Sequence, residues 1–519
     1  MRVHLVEPAP AGHNVYDLSH LPRLGLPLMA TMLSRAGHEA AVSCEVIRPV
    51  DLGRLLRADL VGISTTTATA PAAYLLADKL AEAGVPVVLG GPHVTFRPEE
   101  ALSHAPYVVR GEGQDTMVAL VSLLEEGGDL ATVAGLSHRD AGGSSVHNPD
   151  RPRRSQQEFE LLPNPDLSLI DGHERMRTKP VMTQWGCPFD CEFCSVSAQF
   201  SRRVRHRRPD QVVAELAGLG AERVFFFDDN FVVNKARTTE LLRQMLAAGV
   251  ALPFSAQMRA QAALRRPDRP QADDAFLAQL RQAGCQMTML GIEAVSDAGM
   301  KEVDKRQSVA TVVRAVEAFH RHGIAVHGMF VAGLDADDET SPRAAADFAC
   351  SLGIDTFQLM VETPLPGTRL WERVVRDERL LTEDWSLFDG HHVVMRPAQM
   401  TPLTLQLAVL EAMRHFYSWP RILGSGIASA LTHLPALLGA ARPATARTLP
   451  ALWRATRARH WEEVPALMRQ ALPEEPARRV ADALWLPALR VYGRLQLQTW
   501  LQQESAHRHL SALRALEAA

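Results

Sequence analysis

The sequence predicts an α/β protein in three parts: a Rossmann-like doubly wound sheet over residues 1–140, a partial (β/α)6 TIM-like barrel over 176–370, and a mainly helical C-terminal domain over 371–519, with 141–175 as linker. Three observations predict it. Short runs apolar on both faces, such as LVGIS and VPVVLGG, alternate with helical patterns in two separate series, as parallel strands covered by helices do. A stretch rich in Gly, Ser, Asp, Asn and Pro (DAGGSSVHNPDRPRRS, then LLPNPDLS) separates the series. Beyond about residue 400 the strand signal stops, and Leu, Ala and Arg dominate between prolines.

In the first series, strands read at 2–6, 59–64 and 85–89 and helices at 24–35 and 70–83. Ligands of such sheets bind at the carboxyl ends of the strands. Those ends carry Thr65, Thr66 and Thr67, then Gly90, Gly91 and His93, then Gly111, Glu112 and Gly113, which offer hydroxyls and close backbone approach. In the second series, strands at 180–185, 222–227, 252–257, 286–292, 324–331 and 354–361 alternate with helices at 209–219, 236–248, 273–283, 308–322 and 341–352. Six strands alternating with helices imply a parallel barrel or part of one.

A chain of 519 residues with 46% hydrophobic and 22% charged residues buries several cores, which excludes disordered, collagen-like and fibrous classes. The formal charge is −4, and the arginines of the tail lie among acids and apolar residues with no dense basic run. No nucleic-acid partner is expected. The segment MRVHLVEPAP reads as a strand and loop, without a basic n-region or cleavage site, so the expected location is cytoplasmic. Ile422 to Ala441 is uncharged but interrupted by Gly424, Gly426, His433 and Pro435, which predicts a buried or interfacial helix pair and no transmembrane span.

Six cysteines do not form a disulfide pattern: Cys187, Cys191 and Cys194 crowd into WGCPFDCEFCSV directly after the first barrel strand. Three soft thiolates on one tight loop can hold three irons of a four-iron cluster and leave the fourth open. A zinc site is the alternative, and it wants a fourth Cys or His nearby, whereas His206 lies twelve residues past Cys194. Cys44, Cys285 and Cys350 sit in apolar surroundings and read as small buried hydrophobes.

The C-x3-C-x-aromatic-C spacing, with Phe193 in the aromatic place, resembles the motif of the radical S-adenosylmethionine (SAM) superfamily. That resemblance implies a [4Fe-4S] cluster whose open iron chelates SAM, and cleavage of SAM to a 5′-deoxyadenosyl radical inside a water-excluding barrel. It also implies SAM-site roles for Asp228, Asp229 and Asn230 after the second barrel strand, Gln257 and Arg259 at the third, and Gly291 and Glu293 in LGIEAVSD, a block that runs on to Lys305. Helix capping is the other reading of Asp228 and Asp229. TPLPGTRLWE after the sixth strand, and LPRLGLPLMATMLSRAGHEA, GGPHVTFRPEEAL and VVRGEG in the first domain, resemble the subclass that carries an N-terminal cobalamin domain.

For the first domain the resemblance implies cobalamin, with contacts from Thr65, Thr66, Thr67, Gly90, Gly91, His93, Gly111, Glu112 and Gly113. No D-x-H-x-x-G sequence supplies a lower axial histidine, and His93 reads either as a cofactor contact or as a turn-stabilising residue. The implied reaction is transfer of a methyl group from methylcobalamin to an unactivated carbon, or less often phosphorus, after hydrogen abstraction. A non-methylating cyclisation, ring contraction or oxidation is the alternative, and a non-catalytic cobalamin sensor a remote one. Partners are a small-molecule substrate (a natural product, lipid, isoprenoid or tetrapyrrole) and an electron donor such as flavodoxin or ferredoxin. Trp385, Phe388, His391, His392, Met395, Tyr417 and Trp419 read as core and interdomain packing, or as a roof over the barrel mouth, and Met287, Met289, Met329 and Met360 read as barrel core.

Overall fold

The computed structural model describes residues 1–10, 21–250, 252–266, 269–303, 305, 307–422, 487–491, 493–495 and 497–518. Its N-terminal sheet contains β1 (Arg2–Glu7), β2 (Glu39–Cys44), β3 (Leu60–Ser64), β4 (Val87–Gly90), β5 (Tyr107–Val109), β6 (Leu136–Arg139) and β7 (Ser145–His147), in the order β2-β1-β3-β4-β5-β6-β7. The pairs from β2 to β5 are parallel, and β5-β6 and β6-β7 are antiparallel. The stretch read as linker from residue 141 therefore begins inside a hairpin. Its Gly143, at φ +81°, and the Asp140 carboxylate that accepts from the Gly142 and Ser144 N–H groups are turn chemistry.

Helices cover both faces of this sheet. Leu26, Ala30 and Leu33 of helix Gly25–Arg35 join Met117, Leu120 and Val121 of helix Gln114–Glu126 in one core. On the opposite face, Ala73, Tyr74, Ala77 and Leu80 of helix Ala70–Glu82 pack with Val87, Leu89 and Val108. That second core is completed by Trp385, Phe388 and Val394, which follow the barrel in sequence. Of the two readings of these aromatics, packing is the one the structure takes for Trp385 and Phe388.

The second sheet is wholly parallel, with β8 (Thr178–Val181), β11 (Arg223–Phe226), β12 (Phe254–Arg259), β15 (Cys285–Glu293), β16 (Ala325–Ala332) and β17 (Thr356–Val361) in the order β17-β16-β15-β12-β11-β8. Two short antiparallel hairpins flank it, β9 (Gln184–Trp185) with β10 (Arg205–His206), and β13 (Leu264–Arg266) with β14 (Arg269–Ala272). The strand expected at 180–185 thus breaks after Val181, and its end leaves the sheet. The Asp228 carboxylate causes the break, accepting from the N–H groups of Thr183 (2.7 Å) and Gln184 (3.2 Å) that would otherwise extend the ladder.

β8 and β17 do not pair, so the barrel is open on one side. The free edge of β17 is capped from later in the chain. The Tyr417 hydroxyl accepts from Phe357 N (2.9 Å) and donates to Phe357 O (2.7 Å), while Val361 N donates to Gly390 O (2.7 Å). Tyr417 closes helix Pro402–Phe416, which packs on β17 and on helix Ser341–Ser351. Among the described residues no helix is long and apolar enough to cross a membrane. Beyond Ile422, the uncharged stretch 422–441 lies outside the described residues.

Strand alternation sorts the barrel side chains. Ala256, Met258, Leu290, Ile292, Val326, Phe330, Phe357, Leu359 and Val361 belong to the core between strands and helices. Their neighbours face inward, and parallel register sets them in layers: Gln257, Met289 and His327 in one, then Arg259, Gly291, Met329 and Gln358, then Val331 and Met360. Met289, Met329 and Met360 are only half-buried and stand apart from the core, so the reading of these three as core is corrected; Met287 is fully buried. The lumen is not filled by side chains as a closed barrel would be.

Candidate functional site

The cluster loop leaves β9 at Gly186, whose φ of +84° brings its backbone so close to Arg203 O that a Cβ there would collide with it. Cys187, Cys191 and Cys194 follow, all half-buried free thiols. Burial pushes the Cys187 thiol up, and that of Cys194 to about 12. Backbone N–H groups oppose the shift, from Phe189 at Cys187 and from Val196 and Ser197 at Cys194. Amide donors aimed at buried sulfurs fit thiolates bound to iron. Among the described residues no three His, Cys, Asp or Glu converge on one ion. A four-iron cluster asks for a different arrangement, one thiolate on each of three irons.

Arg259, at the end of β12, is 8% exposed and lies against this loop, its guanidinium carbon 3.8 Å from the centroid of the Phe189 ring. Burial pulls its pKa down, and neighbouring Cys191 and Cys187 oppose that. Its Nη2 donates to Lys305 O, and Lys305 Nζ pairs with Glu293. Gly291 makes the crossing possible, because a Cβ there would collide with Lys305 Nζ. Glu293 itself adopts a left-handed backbone (φ +67°), a conformation that costs a non-glycine residue strain. Gln307, which sequence reasoning did not find, donates from Nε2 to Gly291 O (3.2 Å) and Ile292 O (3.3 Å), and its buried Oε1 lacks a partner among the described residues.

Asp228 does not cap the following helix; Asn234 does, through Arg237 N. Both Asp228 oxygens are used on Thr183 and Gln184, and the side chain is fully buried, so it orders the start of the cluster loop. Asp229 accepts from Gly186 N at 3.1 Å. Burial raises both carboxyls to about 6. Asn230 is 4% exposed, and its Oδ1 lacks a partner among the described residues. Gln307 thus offers an unmet polar atom beside the ring of Arg259, Lys305, Glu293 and Gly291, and Asn230 offers another past the end of β11; these polar groups fit the amino, carboxylate and ribose groups of SAM. Gln257 lies one layer deeper, and its carbonyl accepts from Phe231 N (2.9 Å). Phe193 packs against the barrel core.

At the other sheet, Thr65 is fully buried and ties β3 to β4, its N and Oγ1 both donating to Gly90 O at 2.7 and 2.8 Å. Gly91 (φ +106°) passes over it, where a Cβ would collide with Thr65 O and lie 2.8 Å from Thr65 N. A Cβ on Gly113 would strike the Val109 side chain, whereas Gly90 meets only ordinary contacts and Gly111 (φ +67°) has open space beside it. The Thr66 hydroxyl is half-buried within reach of Arg23 (3.3 Å). This open edge of hydroxyls and glycines fits the nucleotide tail and amides of a corrin.

Two residues of the set have protein partners in the structure. His93 is 1% exposed, faces Thr67 Oγ1 and Glu100 Oε1 (3.4 Å each), and lies edge-on to Trp385, contacts that match the turn-stabilising one of its two readings. Glu112 forms a bidentate ion pair with Arg205 of β10, with both side chains under 10% exposed.

A parallel barrel with a three-thiol loop at its carboxyl end, joined to a doubly wound sheet with a glycine-rich open edge, defines a radical SAM enzyme with a cobalamin domain. The family model described as B12 binding domain matches residues 17–121, and the one described as Radical SAM superfamily matches 181–349. Uncharacterized methyltransferase PH0819 of Pyrococcus horikoshii is 30% identical over 78% of this chain and 89% of its own. Bacteriochlorophyllide d C-12(1)-methyltransferase of Chlorobaculum tepidum is 27% identical over 70% of this chain and 76% of its own. In fold, the radical SAM methyltransferase TsrM of Kitasatospora setae, solved with cobalamin and a [4Fe-4S] cluster, superposes with a TM-score of 0.58 at 20% identity, over 73% of this chain and 78% of that one. The chain belongs to the cobalamin-dependent radical SAM methyltransferase family, and its cofactors are a [4Fe-4S] cluster, SAM and cobalamin.

Proposed function

We propose that the protein methylates an unactivated carbon of a small molecule with an apolar body, a class that includes tetrapyrroles, isoprenoids and ring-bearing natural products. The observation that supports this reading is the lumen: three half-buried methionines on one wall face inward, in the layer of Arg259 and the layers next to it, and the cluster loop lies against Arg259. When bound, the cluster, SAM and cobalamin supply one-electron cleavage of SAM and a methyl group carried on cobalt. Cys187, Cys191 and Cys194 would hold the cluster, and Arg259 flanks its loop. Asn230, Gly291, Glu293, Lys305 and Gln307 would seat SAM, with Asp228 and Asp229 fixing the loop from behind. Thr66, Gly90, Gly91 and Gly111 would line the corrin edge. A one-electron donor such as flavodoxin or ferredoxin serves the cluster, and free thiols with an oxygen-labile cluster call for the reducing cytoplasm.

The test is anaerobic reconstitution with cobalamin, SAM and reductant, assaying 5′-deoxyadenosine and S-adenosylhomocysteine together. Both products are expected. Deoxyadenosine alone would favour the non-methylating reading. Replacing all three cysteines by Ala should leave a folded chain without the iron-sulfur absorbance, and unchanged iron content in that variant would overturn the cluster assignment.

A further inference from the structure

One inward side chain past the end of β17 is used by neither the cluster loop nor the Gly291–Lys305 ring. The ladder continues to residue 362, whose N–H donates to Ala332 O at 2.8 Å. The alternation that turns Phe357, Leu359 and Val361 to the outer core therefore turns Gln358, Met360 and Glu362 to the lumen. Glu362 is 3% exposed, and its Oε2 has no partner among the described residues.

The charged groups that face it are Glu302, Arg373, Asp335 and Glu192, so acids outnumber bases. The neighbouring cations are already committed. Arg373 pairs with Glu192 (3.0 Å) and Asp335, and Arg379 with Asp335 (2.7 Å). Glu302 accepts from the N–H groups of Asp335 (2.7 Å) and Ala336 (2.9 Å). Burial, with Glu302 next, holds the Glu362 carboxyl well above the usual carboxylate range. A buried acid with an unpartnered oxygen costs stability, a cost that a ligand group can remove.

We propose that Glu362 is the anchor for a basic nitrogen on the substrate, so that the lumen takes a cationic amine whose apolar body lies along Met360 and Met329. The inference rests on the barrel being the substrate chamber of the enzyme proposed above. A neutral hydrogen-bond acceptor would leave the excess of acids unanswered, whereas an ammonium answers it and gives Glu362 a charged partner. On entry of the ammonium the Glu362 O–H bond breaks, its proton passes to solvent, and an N–H···O contact to the carboxylate forms.

The experiment is calorimetric titration of the reconstituted holoenzyme with octylammonium and, separately, 1-octanol, in buffers of different ionisation enthalpy. The amine is expected to bind about tenfold more tightly or better, with close to one proton released per amine. Glu362→Gln should abolish both the preference and the proton release, and Glu362→Asp should keep part of each. Equal affinities, no binding of either probe, or a preference that survives Glu362→Gln overturns the proposal. Deoxyadenosine formation by the wild-type preparation, measured alongside, tells failure of this inference apart from failure of the radical SAM reading.

Discussion

Arg205→Met is the most informative perturbation of the link between the two sheets. Arg205 and Glu112 are 4% and 7% exposed at the side chain, so the discount that applies to surface ion pairs does not apply here. Arg205 also lies over Trp185 and Phe159, with its guanidinium carbon 5.8 and 5.5 Å from their centroids. Removing one member of so buried a pair strands the other charge, at a cost of about 3–5 kcal/mol. With an unfolding entropy near 2.1 cal/mol/K per residue, that lowers the Tm of a chain this long by about 3–5 °C if it unfolds as one unit. Glu112→Leu should cost a similar amount, and the double variant Arg205→Met with Glu112→Leu should recover most of it. Scanning fluorimetry on the four proteins, with corrinoid content read by absorbance, closes the cycle. Losses that simply add in the double variant would refute the coupling, and corrinoid loss in the rescued double variant would return Glu112 to the cofactor.

Three further outcomes follow from local substitutions. Gly91→Ala forces a Cβ onto the Thr65 backbone at a positive φ, so bound corrinoid should fall several-fold while iron content holds; full corrinoid retention in the variant would remove the β3-β4 edge from the cofactor site. Tyr417→Phe leaves both backbone groups of Phe357 unmet, and should cost about 1–3 kcal/mol, visible as a lower urea midpoint. His206 and His509 are pressed to about 4 by burial, so the unfolded chain binds protons the folded one refuses. Stability should therefore be full above about pH 6.5 and fall as pH drops toward the folded values, with His206→Gln and His509→Gln together flattening the decline in Tm.

The sequence made the barrel legible because its strands are apolar on the outer face and its helices begin at capping residues such as Asn234, Asp273 and Ser308. It hid β2, since EAAVSC suits a helix as well as a strand until it pairs in parallel with β1. It hid β6 and β7 because hairpin-turn and linker compositions coincide. The cysteine loop was readable from spacing alone. His327 and Gln358 were not, although a polar side chain inside an otherwise apolar strand, with Thr356 two places before Gln358, was the available signal. Lys305 was marked by the block that begins at Gly291, whereas Gln307 needed the fold to return it there.

The core shared by Val87, Val108, Trp385 and Phe388 has a consequence for the timing of biosynthesis. The last residues that finish the first domain leave the ribosome after the whole barrel has been made, an interval on the order of tens of seconds at ordinary elongation rates. Until then one face of the nascent sheet is uncovered, and the same delay leaves the edge of β17 without Tyr417. A chain stopped at residue 370 would release two unfinished surfaces at once, prone to self-association. Cofactor loading of the first domain is thereby tied to completion of the polypeptide, and expression of either half alone is expected to yield aggregates that full-length protein avoids.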